Sequence, residues 1–254
     1  MIGSLRAAVA SCVLVVVFAF AGTASPAETI TPQAQAMIKV LDAMGVESKW
    51  NAGERVYWET GLPTGVPETS PGKHTHCSAF VAAAAKTLGV YILRPPAHGQ
   101  KLLANAQNEW LAEEGPARGW VKLANADEAQ AAANRGLLVV AGYHNHHDDR
   151  PGHIAIVRPG SKTAEQIAAE GPDVIQAGSV NKTSISLRDG FAGHPAAWRD
   201  HEVVYYAHGI RVLFSTVIAN EIKDFLARLL PRIRRLEASW KQAAPAAQRA
   251  VPSL

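Results

Sequence analysis

The order of its hydrophobic periodicities constrains this chain more than any other feature. Helical patterns come first, and short apolar strands follow them. Thr31-Pro32 supplies an N-cap and a proline at the first helical position, which predicts a helix to about Met44, stopped at Gly45. Trp50 to Gly72, rich in Gly, Pro, Thr and aromatics, reads as loop. Thr75 to Leu88 is the next predicted helix, followed by Gln100 to Trp110 and an alanine-rich one from Asp127 to Asn134. Strands are expected at Leu137–Ala141, His153–Val157, Val174–Ala177, Ser184–Leu187 and Val203–Ala207. The first two would be hairpin neighbours across a polar, histidine-rich loop from Tyr143 to Pro151. Helices before strands predicts an α+β fold with a largely antiparallel sheet.

The two ends differ from this middle. Residues 1–27 read as a secretory signal: Arg6 begins it, an apolar run follows, and Ser25-Pro26-Ala27 places small residues for cleavage after Ala27, with Ala24 the alternative. Export to the periplasm or the medium is therefore expected. Residues 28–209 are expected to form one catalytic domain. Residues 210–254 carry Ile218, Ile222, Phe225, Leu229, Ile233, Leu236 and Trp240 at helical spacing, interleaved with arginines, and predict a basic amphipathic helix. That helix would dock on the domain, contact a membrane surface or cell envelope, or self-associate. The chain's formal charge is +3, or +2 without Arg6, too mild to argue for nucleic acid as a partner. The C-terminal stretch from Arg211 holds eight basic and three acidic residues, so the expected domain itself is left near −3.

Of two cysteines, Cys12 lies in the leader, which leaves Cys77 as a lone thiol in an exported chain. A nucleophile is the leading reason for keeping one. A helix beginning near Thr75 would place Cys77 in its first turn, where the positive helix end favours thiolate and free N–H groups offer an oxyanion hole. The best base is His153, at the start of Gly152-His153-Ile154-Ala155-Ile156-Val157. A third polar group should hold the imidazole in its useful tautomer. Gln176 is the polar interior position of the next strand, and Asn181 is its competitor.

These segments resemble the NlpC-type and CHAP cysteine amidohydrolases of bacterial cell walls, which have a papain-like fold. His76-Cys77-Ser78-Ala79-Phe80-Val81 stands where that group has a motif like Asp-Cys-Ser-Gly-Leu-Val, and Gly152 to Val157 matches its Gly-His-Val-Ala-Ile-Val strand. The resemblance runs from about Tyr57 to Ala177. It implies a Cys77–His153 pair, a third residue at Gln176, hydrolysis of an amide in peptidoglycan stem peptides, and no cofactor. It also makes Tyr57, in Val56-Tyr57-Trp58-Glu59-Thr60-Gly61, a candidate site residue, with His76 and Ser78 beside the nucleophile. His76 replaces the group's usual Asp, Leu137 replaces an Asp after Gly136, and the intervals between motifs are longer.

Other chemistries compete. His144, His146, His147, Asp148 and Asp149, and separately His74-Thr75-His76-Cys77, have zinc-ligand character, but no His-Glu-x-x-His helix occurs, and no metal is expected. An acyl or lipid hydrolase or transferase on the same fold, brought to a membrane by the basic tail, is the second class. A zinc-binding or non-catalytic cell-envelope module is the third, its rival metal site formed by Cys77, His153 and one of those clustered residues.

Overall fold

The computed structural model describes residues 29–147, 149–210 and 229–235. The expected leader and most of the basic C-terminal helix lie outside the described residues. Residues 229–235 are helical, with Leu230 and Ile233 exposed.

Helix α1 (Pro32–Ala43) starts as expected: the Thr31 hydroxyl accepts from the Ala34 N–H at 3.2 Å, and Gly45 leaves the helix in the left-handed region. Helix α2 (Cys77–Thr87) begins two residues later than its sequence suggested, so Cys77 is its first helical residue. Helix α3 (Leu103–Glu113) is displaced toward the C-terminus, because Leu102 takes a left-handed φ of 53° and breaks the run before it. Strand β1 (Val121–Leu123) was not foreseen; it is a three-residue exposed edge. Then follow α4 (Ala126–Asn134), β2 (Leu138–Tyr143), β3 (His153–Val157), α5 (Ala164–Glu170), β4 (Asp173–Gln176), β5 (Lys182–Ser186), α6 (Leu187–Gly190), α7 (Pro195–Arg199) and β6 (Val204–His208).

The six strands form one sheet in the order β1-β6-β2-β3-β4-β5, every neighbour pair antiparallel. The fold is therefore α+β with an antiparallel sheet. Strands β2 and β3 lie at its centre and are buried along their whole length, which is why they read as continuous apolar runs rather than alternating ones.

Alternate residues of these strands feed two cores. Leu138, Val140, Ile154 and Ile156 pack with α2, Met37 and Leu41 of α1, and Trp50. Val139, Ala141, Ala155 and Val157 pack on the opposite face with α4, Leu187 and Phe191. In α2 every residue from Cys77 to Ala85 is buried. A helix enclosed on all sides needs small residues for close approach, and its alanines meet that need.

Candidate active site

Cys77, His153 and Gln176 are brought together from three elements. Cys77 opens α2, His153 opens β3 and Gln176 closes β4. All three are buried, and Cys77 and His153 line one cavity of about 440 Å³. The N–H groups of Ile154, beside His153, and of Ser78 lie near enough to the sulfur to favour its anion. The β3–β4 ladder pairs Ile156 with Ile175 and Val157 with Val174 and stops short of Ile154, which pairs with Gly142 of β2. Among the described residues no hydrogen bond joins the sulfur to the imidazole.

His153 Nε2 and Gln176 Oε1 are 2.8 Å apart, and the Gln176 amide nitrogen donates to the Val180 carbonyl at 3.1 Å. With the nitrogen so committed, the amide oxygen faces the ring, and an amide oxygen only accepts. The neutral imidazole therefore carries its proton on Nε2 and leaves a lone pair on Nδ1. The ring is held edge-to-face by Phe191, with centroids 4.6 Å apart, and is stacked on His194 at 5.7 Å. Glycine at 178 preserves this placement: a Cβ there would come within 3.3 Å of His153 Cε1.

Burial governs the protonation of the pair. It pushes the Cys77 thiol above its ordinary value, outweighing the Ile154 and Ser78 N–H groups that act the other way. The thiolate expected from the helix end alone is thus not the resting form. Burial also lowers His153, against the opposing hydrogen bond to Gln176. Both shifts favour the neutral forms, thiol at Cys77 and imidazole at His153.

The remaining candidates fall in different places. Ser78 lines the cavity, and its carbonyl accepts from Gln107 Nε2 at 3.1 Å. Asn181 does not reach His153. Its amide nitrogen donates to the carbonyls of Val46, Lys49 and Trp50, and its oxygen accepts from the Gly178 N–H, so it ties the segment after α1 to the β4–β5 turn. His76 bonds through Nε2 to the Glu54 carbonyl at 2.8 Å and lies outside the cavity lining. Burial lowers its pKa, so it anchors the 50s loop as a neutral ring. Tyr57 is 58% exposed and is not among the lining residues; its carbonyl closes a turn by accepting from Thr60 and Gly61 N–H groups.

His194 is the site residue that sequence reasoning missed. It lines the cavity between His153 and Tyr143, and burial, with the neighbouring His153, lowers it to about 4. Its local signal was Gly193-His194-Pro195, a helix start in a stretch where no element was expected. In the histidine-rich loop, His144 meets Glu109 at 2.7 Å and His146 meets Glu202 at 2.8 Å, each pairing with a carboxylate outside the loop. No group of three or more potential metal ligands occurs among the described residues.

Helix α3 supports both halves of the site. The Asn105 oxygen accepts from Gly152 N–H at 2.7 Å and from Asn145 N–H at 3.1 Å, and its nitrogen donates to the Arg150 carbonyl. Gly152 must be glycine, because a Cβ would overlap the Tyr143 carbonyl oxygen. Two residues on, Gln107 donates to the Ser78 and Leu93 carbonyls. The same helix thereby fixes the entry to β3 and the first turn of α2.

No family model matches the chain, and no curated protein was found to match it.

Proposed function

We propose that the protein is an exported cysteine hydrolase of papain-like architecture that cleaves an amide bond in peptidoglycan stem peptides. The observation that carries this is the buried His153–Gln176 hydrogen bond at a cavity shared with Cys77 on the first turn of α2. The choice of substrate and the export rest on the motif resemblance and on residues 1–27.

The chemistry follows from the tautomer. His153 Nδ1 takes the Cys77 proton as the sulfur adds to the amide carbonyl carbon. First-turn N–H groups of α2 stabilise the resulting oxyanion. The C–N bond breaks, and the imidazolium returns the proton to the departing amine. Water then gives a proton to His153 and attacks the thioester. The C–S bond breaks, and the thiolate regains its proton from the ring. Substrate binding brings sulfur and ring into contact, since catalytic hydrogen bonds often tighten only in the complex.

The test is release of stem-peptide fragments from purified sacculi by the mature protein. Release by wild type that is lost in Cys77→Ala and in His153→Ala supports the reading. No release, or equal release by Cys77→Ala, refutes it.

A further inference from the structure

The cavity lining has a charge character opposite to that of the domain around it. Its titratable side chains besides Cys77 are Lys73, His74, Lys101, His153 and His194, and no Asp or Glu belongs to it among the described residues. Yet between leader and C-terminal stretch the chain carries 16 Lys and Arg against 19 Asp and Glu. A lining drawn from such a segment without preference would include carboxylates.

Among the described residues, the two lysines are not committed to carboxylates of the fold, as Lys86 and Lys162 are. Lys86 pairs with Glu59, and Lys162 with Glu170 and Asp173. Lys73 and Lys101 are exposed and have no ion-pair partner among the described residues. The carboxylate near His74, Glu68, is occupied by Arg55 and Ser70 and is not part of the lining. Lys73 stands on the loop before α2, and Lys101 on the loop before α3. Uncompensated charge of one sign around a cleft focuses the field on a ligand of the other sign.

We propose that this cavity selects an acidic peptide, with Lys73 and Lys101 binding carboxylates on either side of the bond presented to Cys77. This rests on the cysteine-hydrolase reading of the same cavity, and names the charge class of its substrate. Uncharged or basic peptides would be poor ligands, and binding would weaken with salt.

Charged alkylating reagents test it without a substrate. The rate of Cys77 modification by iodoacetate is divided by that for iodoacetamide, in wild type, Lys73→Gln, Lys101→Gln and the double variant. The ratio is normalised to a small free thiol and read by peptide mass spectrometry. It should fall roughly two- to five-fold for each lysine removed, the effect of one charge lining the same cavity and acting through water. It should also fall toward the free-thiol value in about 1 M salt, where screening is nearly complete. A ratio unchanged in the double variant overturns the proposal.

A second arm keeps the charge question separate from the nucleophile. Cys77→Ala is equilibrated with Ala-Glu-Glu-Ala and with Ala-Gln-Gln-Ala. Tighter binding of the glutamate peptide, lost in Lys73→Gln/Lys101→Gln, supports the proposal; equal binding, or none, overturns it. A Cys77 inert to both reagents removes the nucleophile while leaving this second arm decisive for the charge preference.

Discussion

Replacing Gln176 by Leu removes one side chain's hydrogen bonds and keeps most of its volume. The bond to His153 is 2.8 Å long, with Gln176 2% and His153 5% exposed, so water cannot replace it. A buried N–H left without an acceptor costs about 1–3 kcal/mol. His153 can escape that cost by moving its proton to Nδ1, which removes the lone pair that the Cys77 proton needs. If the lost bond is what favoured the active tautomer, the active fraction falls about tenfold for each 1.4 kcal/mol. The expected loss of turnover on sacculi is therefore about ten- to a hundred-fold, with a stability loss of about 1–3 kcal/mol by denaturant unfolding. The tautomer is read directly from the ring 15N shifts of His153: proton on Nε2 in wild type, a shift toward Nδ1 in Gln176→Leu. A variant that keeps the Nε2–H tautomer and full turnover would refute the assignment of Gln176 as the orienting group.

Three further outcomes are expected. Burial raises the thiol, so at a given pH near neutrality the folded protein holds less thiolate than an ordinary cysteine does; iodoacetamide labelling of Cys77 should rise with a midpoint on the alkaline side of free cysteine, and a plateau extending into the acid range would show a resting thiolate instead. Ala84→Leu inserts a large side chain at a fully buried position of α2 and should cost about 1–3 kcal/mol in thermal or denaturant unfolding, whereas no change would mean that α2 is not enclosed. Asn105→Ala frees the N–H groups of Gly152 and Asn145 and should lower turnover more than it lowers stability, with faster amide exchange confined to residues 143–152; exchange spread over the whole sheet would mark a merely structural role.

The central strands were legible because both of their faces are buried, so β3 runs from His153 to Val157 as its apolar run implied. The stop of α1 at Gly45 was legible from local chemistry, because only a left-handed residue was needed there. Strand β1 was not, since its residues are exposed or half-buried and its existence depends on pairing with β6. Helix α5 had a readable start, the Thr163–Gln166 capping box, but with Ile167 as its one buried residue it shows little periodicity. For the site, Cys77 and His153 were readable because helix and strand starts constrain them. The choice between Gln176 and Asn181 was not, because it turns on which carbonyls each amide meets across the fold. His194 escaped notice because its place beside His153 is a tertiary fact.

Helix α3 contributes a mechanical property beyond its hydrogen bonds. Asn105 and Gln107 tie the strand that carries His153 and the turn that carries Cys77 to one helix. Both attachments share that helix, so a shift of α3 as a body would carry the two together. In the proposed reaction the spacing of Cys77 and His153 would then answer to the anchorage of one short helix, while Gln176 depends separately on the β4–β5 turn through the Val180 carbonyl.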